Sequence, residues 1–401
     1  MVFKIGIVGK PNVGKSTFFN AATNSHAQVA GYPFTTISSN QGVMHVRSPC
    51  PCKEFDLKCT PRNSICQDGM RFVPLDVIDV AGLVPGAHEG KGLGNQFLDD
   101  LRQADILIHV VDASGSTDDE GKPVPTGTHD PMKDIKFLEE EIEYWMLGII
   151  KKDWNRSARR AGSEGVKIEE LLSHHLTGLG IKTAHIKQAL HYLPLDTSDP
   201  SKWSETELFQ LTKEIRRVSK PIFLALNKCD VAPDNLMQKL LGLNEGIVVP
   251  TSAESEVALR NASQGGLIEY KPGDASFKTL KRDRLSEKQL QALGFITDRV
   301  LKKYGSTGIQ TCIEKIAYDI LKLVVVYPVE DENKLTDKEG RILPDAYLMP
   351  RGSTAKDLAY RIHSDLGENF IRAIDARTKR VIGADYELKD RDIIKIVAGR
   401  T

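Results

Sequence analysis

The stretch that most constrains this 401-residue chain is Gly9-Lys10-Pro11-Asn12-Val13-Gly14-Lys15-Ser16. Two glycines with four residues between them, followed by Lys and Ser, make a phosphate-binding loop pattern. The apolar run at residues 2–8 reads as a buried strand, and Ser16 opens a helix that runs through Thr17-Phe18-Phe19-Asn20. The glycines let the backbone wrap a polyphosphate with its N–H groups turned inward, and the helix N-terminus adds partial positive charge. Asn12, Val13, Gly14, Lys15, Ser16 and Thr17 then line the phosphates. Lys15 reaches the β- and γ-phosphates, and the Ser16 hydroxyl holds Mg²⁺. A plain Gly-rich turn is the bland alternative, and the flanking strand and helix weigh against it.

Two later stretches fit the same chemistry. Tyr32-Pro33-Phe34-Thr35-Thr36 lies between the loop and the next strand, where a Thr can cap the metal and the γ-phosphate. Thr36 is the better candidate and Thr35 the second. An apolar strand at 71–78 runs into Asp79-Val80-Ala81-Gly82, so Asp79 is expected to hold Mg²⁺ through water and the Gly82 N–H to sense the γ-phosphate. The Gly-rich stretch 82–94 reads as a switch. Leu83 stands where Ras-like proteins carry a water-orienting Gln, so another group orients the water or turnover waits on a partner.

Charge is balanced at 54 basic and 54 acidic residues, which excludes a global field for nucleic acid or membrane and leaves only local patches. No run is long enough for a transmembrane helix and no signal peptide is read, so the expectation is a monomeric cytoplasmic protein with no membrane partner. Further apolar strands are read at 105–112, 221–227 and 247–250, with helical segments between. That alternation predicts an α/β fold with a doubly wound, mostly parallel sheet, and every candidate residue falls at a strand's carboxyl end.

The strand at 221–227 ends in Asn227-Lys228-Cys229-Asp230. Guanine presents two adjacent donors, N1–H and the 2-amino group, which the Asp230 carboxylate can accept together. Adenine would face it with a lone pair, and a polar site left unpaired discriminates strongly. Asn227 is expected to bond the base's acceptor side and to tie the loops together, and the Lys228 stem to lie along the base. In Ser252-Ala253 the Ala253 N–H would meet the guanine O6. A helix N-cap is the alternative role for Asp230.

These motifs, with Gly92-Leu93-Gly94-Asn95-Gln96-Phe97-Leu98, resemble the Obg and YchF group of translation-factor-type P-loop GTPases over nearly the whole chain. The resemblance implies a GTP/GDP switch with Mg²⁺ that acts on the ribosome or another RNA. Typical YchF proteins lack Asn-Lys-x-Asp and prefer ATP. This chain keeps Asn227, Lys228 and Asp230, and the base reading therefore points to GTP, with a YchF-type ATPase and a GTP-gated binding module as rivals. Asn12 resembles the Asn that coordinates K⁺ in K⁺-activated relatives. His109 matches a His considered for water positioning, and a core imidazole is its other reading.

Four cysteines, Cys50, Cys52, Cys59 and Cys66, crowd one loop. They are candidates for a structural Zn²⁺, although the spacing matches no standard ribbon and free thiols or disulfides stay open. The G domain is expected at 1–114 and 206–275, with a helical insertion at 115–205. Apolar spacing in 134–152 has the helical period, and 151–160 is basic, fit for RNA phosphates or for a solvated face. A helical connection at 276–320 leads to 321–401, which reads as a β-grasp, ubiquitin-like shape and resembles a TGS domain. Residues 351–400 carry 11 Lys+Arg and 8 Asp+Glu, a net of +3, consistent with RNA contact.

Overall fold

In the computed structural model, residues 3–23, 40–80, 82, 94–243 and 247–399 are described. The chain opens with β1 (Lys4–Val8) and α1 (Lys15–Thr23), then β2 (Gln41–Pro49), β3 (Ile65–Gln67) and β4 (Met70–Asp79). Next come α2 (Gly94–Gln103), β5 (Ile106–Asp112), α3 (Pro131–Lys152), α4 (Trp154–Glu164), α5 (Ile168–Leu176), α6 (Thr183–His191) and α7 (Glu205–Ser219). They are followed by β6 (Ile222–Asn227), α8 (Asp234–Leu241), β7 (Val248–Pro250), α9 (Ala253–Gln264), β8 (Ile268–Glu269), β9 (Lys278–Thr279) and α10 (Glu287–Ile296). The C-terminal part holds α11 (Lys302–Tyr304), α12 (Ile309–Lys315), β10 (Leu323–Val329), β11 (Tyr347–Pro350), α13 (Ala355–Ile362), α14 (Ser364–Glu368), β12 (Phe370–Asp375), β13 (Val381–Ile382) and β14 (Ile393–Ala398). Among the described residues no helix is long and apolar enough to cross a membrane.

The chain forms two compact units, Phe3–Ala21 with Val77–Ile309, and Ala22–Asp76 with Gln310–Thr401. In the first, β1, β5, β6 and β7 are parallel neighbours, with Val8 opposite His109 and Asp112 opposite Asn227. All seven residues of β5 are buried, as a central parallel strand covered on both faces requires. Helices α3 and α7 pack into one core through Leu138, Ile142, Met146, Leu211 and Ile215. Arg216 of α7 reaches Glu139 at 3.3 Å and Glu143 at 3.1 Å on α3, so a charged clasp closes that apolar seam. The N-caps are those the sequence supplies: Asp130 accepts from the Met132 N–H, and Ser204 with Glu207 forms a capping box.

In the second unit the sheet order is β11-β10-β14-β12-β13, with β10 and β14 parallel. Alternate residues of β10 go to opposite cores. Val324 and Val326 pack with Ala355 and Leu358 of α13, whereas Val325, Tyr327 and Val329 pack with Cys50 and Cys52. The segment expected to be a plain Cys-rich loop therefore covers a sheet face. It also contains a hairpin, with Ile65 opposite Phe72 and Gln67 opposite Met70. Asp68 (φ 50°) and Gly69 (φ 82°) make its two-residue turn, an Asp-Gly signal present in the sequence. Within the helical connection, α10 passes through a π-turn at Thr297–Leu301 into α11.

One glycine outside the phosphate loop carries a clear steric demand. Gly308 has φ 82°, and a Cβ there would lie 1.9 Å from the Pro250 carbonyl oxygen. The neighbouring Thr307 carbonyl accepts the Ser252 N–H at 2.9 Å, so this crossing seats the loop after β7. Gly308→Ala is expected to destabilise the chain by about 2–4 kcal/mol. Chemical denaturation checks this, and an unchanged midpoint would mean that the loop gives way freely.

Candidate functional site

The phosphate-loop candidate joins β1 to α1, and its backbone takes two left-handed residues, Asn12 (φ 61°) and Gly14 (φ 90°). A Cβ on Gly14 would sit 2.3 Å from the Asn227 amide nitrogen, so only glycine lets the two loops approach this closely. That amide nitrogen donates to the Val13 carbonyl at 2.9 Å, and its oxygen accepts the Ala253 N–H at 3.0 Å. Buried Asn227 thus bridges the loops after β1 and β7, and its amide, expected also to bond the base, is spent on those two backbone groups. The Ala253 N–H, expected to face the base, is spent on Asn227. Ser252 caps α9, its hydroxyl donating to Ser255 Oγ at 2.7 Å.

Lys15 and Asp79 are brought together: the ammonium contacts the Asp79 carboxylate and donates to the Val80 carbonyl at 2.6 Å. Ser16 is exposed at the first turn of α1, and Thr17 follows it, half-buried. A Cβ on Gly82 would meet Gly9 O at 3.8 Å, which places Gly82 beside the start of the loop. Thr35, Thr36 and Leu83 lie outside the described residues. Asn12 does not stand free, since its side-chain N–H donates to Gly121 O at 2.9 Å.

Lys228 adopts φ 62°, and its ammonium reaches Asp112 at 2.8 Å and Ser116 Oγ at 3.2 Å. Asp112 also accepts from Ser114 Oγ at 2.5 Å and Thr117 Oγ1 at 2.9 Å. Burial pushes its carboxyl up, but Lys228 and the hydroxyls outweigh that and hold it below the usual carboxylate value. Asp230 is half-buried, and among the described residues nothing pairs with its carboxylate.

A collar around the loop has no forerunner in the sequence reading. Lys10 is buried, donating to Thr117 O at 3.0 Å and Asp118 O at 2.8 Å, with the Asp134 carboxylate 2.8 Å away. His129 meets Asp134 at 2.9 Å. Gly121 (φ 81°) lies so near Pro11 that a Cβ would be 2.5 Å from its carbonyl oxygen. The polar segment after β5 therefore wraps the phosphate loop. The sequence signal was its Gly and Pro content, which marks turns but not what they touch.

His109 is 2 % exposed on β5, and its Nδ1 has no partner among the described residues. Burial, then the Lys10 charge, lowers its pKa to about 3. The folded chain keeps this imidazole neutral while the unfolded chain takes a proton below about 6.5. Stability from this group is thus complete above pH 6.5 and is lost as pH falls toward 3, by about 2 kcal/mol between pH 6.5 and 5. Denaturant unfolding at pH 7 and pH 5 is expected to show that loss in the parent and not in His109→Gln. Equal slopes would place a solvated, titrating imidazole there.

The chain matches three known families. Residues 4–145 match "50S ribosome-binding GTPase" and residues 225–331 match "Obg-like GTPase YGR210-like, G4 motif-containing domain". Residues 336–398 match the TGS domain. The chain is 53 % identical to "uncharacterized GTP-binding protein MJ1332" of Methanocaldococcus jannaschii, covering 98 % of each chain. It is 32 % identical to "Obg-like ATPase 1" of Pongo abelii over 98 % of this chain and 91 % of that one. A crystal structure of a "GTP binding protein" from Pyrococcus horikoshii OT3 superposes with TM-score 0.77 at 42 % identity, covering 99 % of this chain and 100 % of that chain. These matches, over nearly the whole length of the chain, follow the phosphate loop, parallel sheet and Asn227 turn described above, and the chain belongs to the Obg-like family of P-loop GTPases, with a TGS domain at residues 336–398.

Proposed function

We propose that the chain is a Mg²⁺-dependent GTPase whose nucleotide state governs docking on RNA, with the ribosome as the partner. The observation that carries the base assignment is the Asp230 carboxylate, half-buried and without a partner among the described residues, at the end of the strand that supplies Asn227. Lys228, with its ammonium anchored on Asp112, leaves its aliphatic stem to lie against the base. Asn227 serves as the brace and Asp230 as the reader of N1–H and the 2-amino group.

A hydroxyl from Ser16 and a carboxylate from Asp79 are hard oxygen donors and fit Mg²⁺, with Thr36 as the further ligand. Mg²⁺, when bound, offsets the negative charge that develops on the transferring phosphoryl group. The chain's own residues do the rest. Lys15 exchanges Asp79 for the β- and γ-phosphate oxygens, and the backbone of Asn12, Val13, Gly14 and Thr17 aims N–H groups at the polyphosphate. The Gly82 N–H holds the γ-phosphate in line for attack by water. Asn12 spends its N–H on Gly121, which leaves its Oδ1 for a K⁺. His109, buried and neutral, is a positioning group for that water only if its variant lowers kcat with KM unchanged.

RNA docking rests on two surfaces, each taken alone. Within the TGS segment the positive charge is local: residues 351–400 carry the net +3 noted above, whereas 336–398 holds 12 Lys+Arg and 11 Asp+Glu. In the insertion, Lys152, Arg156, Arg160, His174 and His175 line a cavity of about 680 Å³ together with Asp153 and Glu170, and its cations outnumber its carboxylates by one before the histidines are counted.

Relatives named as ATPases favour a second reading, in which adenine is the base. Competition between GDP and ADP at fixed Mg²⁺ separates the two. GDP is expected to bind tighter by about two orders of magnitude or more. Asp230→Asn is expected to weaken GDP by about 100-fold and to improve xanthosine diphosphate, whose C2 carbonyl accepts where guanine donates. Equal competition by ADP would transfer the assignment to ATP. Phosphate release with and without ribosomes then distinguishes a self-sufficient enzyme from a switch that waits for its partner.

A further inference from the structure

Cys50, Cys52, Cys59 and Cys66 are all unbridged, yet their four sulfurs lie within 4.8 Å of one another. Cys50 and Cys59 are 4.0 Å apart, and Cys52 and Cys66 are 3.9 Å apart. Sulfurs bound to one tetrahedral zinc by bonds of about 2.3 Å stand roughly 3.8 Å apart. A disulfide needs them at about 2.05 Å. An iron–sulfur cluster, with inorganic sulfide between the cysteines, would hold them much wider.

The backbone that presents these thiols is organised. The Cys50 N–H donates to Gly69 O at 2.7 Å and the Leu57 N–H to Cys52 O at 2.8 Å. Cys66 sits on β3, in register with Arg71 of β4. Cys50 and Cys52 are buried against Val325, Tyr327 and Val329 of β10.

A second observation concerns charge. Arg71 is fully buried, and no carboxylate pairs with it among the described residues. Its guanidinium donates to Ser64 Oγ at 3.0 Å, to Leu343 O at 2.9 Å and to Cys50 Sγ at 3.4 Å, and lies 5.4 Å from the Tyr327 ring centroid. A buried cation without a counter-charge is strongly disfavoured. Four neutral thiols or two disulfides supply none. Four thiolates around one divalent ion form a net-anionic group beside the guanidinium.

We propose that Cys50, Cys52, Cys59 and Cys66 bind one zinc ion through four thiolates, with Arg71 as its buried counter-charge. All four positions are protein sulfur, so the site is closed and structural. It ties the 50–66 segment to itself, and the segment so braced packs through Cys50 and Cys52 on the face of the C-terminal sheet opposite α13. The same segment is fastened by Arg62 to Asp345 and by the Thr60 N–H to Ile342 O at 2.9 Å.

The test uses the full chain, purified without chelator, with metal measured by plasma mass spectrometry. One zinc per chain is expected. A mercurial titrated against the native protein should release it in step with four thiols, read with a metallochromic dye. Cobalt exchanged into the site should give the thiolate charge-transfer and d–d bands of a tetrahedral centre. Cys59→Ser with Cys66→Ser should lose the metal, whereas Cys312→Ala, distant in sequence, should keep it. If the double variant does not fold, the mercurial titration and the cobalt spectrum of the parent decide. Substoichiometric zinc with no cobalt–thiolate band, recovery of the four cysteines as two disulfides, or stoichiometric iron would each overturn the assignment. Arg71→Met is expected to weaken zinc retention against a chelator by about tenfold or more, with Arg71→Lys recovering most of it. Unchanged retention in Arg71→Met would remove Arg71 from the site.

Discussion

The Asn227 side chain sets the spacing on which the nucleotide site depends. One amide group satisfies a carbonyl of the phosphate loop and an N–H of the loop after β7, from positions 214 and 26 residues away in sequence. Both of its polar ends are buried, and an unmade hydrogen bond there costs about 1–3 kcal/mol. The phosphate loop must then come close, and Gly14 answers by having no Cβ and by taking a positive φ. Lys228 and Asp230 follow on the same turn. Lys228 is held by Asp112, and Asp230 is left without a partner among the described residues. Within Asn-Lys-x-Asp the structure thus separates a brace, Asn227, and an anchored cation, Lys228, from a carboxylate left unpaired among the described residues, which is the division the proposed base recognition uses.

A second constraint works on the outer side of the same loop. Lys10 buries its ammonium among the Thr117 and Asp118 carbonyls and the Asp134 carboxylate, and Asn12 is tied to Gly121. The polar segment after β5 thereby joins the phosphate loop to the first turn of α3. Any rearrangement of α3 is felt at Lys10, because breaking that buried pair leaves an uncompensated charge. The insertion is thus fastened to the nucleotide site by chemistry the phosphate-loop pattern does not demand, since Lys10 occupies one of its variable positions.

Legibility in the sequence followed the range of each interaction. The phosphate loop, the Asp79 strand end and the Asn227 turn were readable because each is a short motif whose flanks carry their own periodicity. The strands β10, β12 and β14 are legible for the same local reason. Lys10, Asp134 and Gly121 were not, since contacts across 107 to 124 residues leave no period to detect. The Asp68-Gly69 turn was a local signal overlooked beside the cysteines around it. The Ala253 N–H shows a further limit, because a motif names the residues of a site without saying which of their groups are already spent on each other.

The continuous apolar run of β10 could have been read as more than a strand. Leu323-Val324-Val325-Val326-Tyr327-Pro328-Val329 is buried at every position. A half-exposed strand would alternate, so a run without alternation demands a cover on both faces. One cover is α13, and the sequence supplies few candidates for the other. A segment rich in cysteine and poor in aliphatic residues makes a weak cover by hydrophobic burial alone. It gains rigidity if its thiols share one ion, and that ion accounts for a fully buried arginine on the adjoining strand. The same strand, β4, ends at Asp79, so a single stretch of ten residues carries both the arginine and the carboxylate that contacts Lys15.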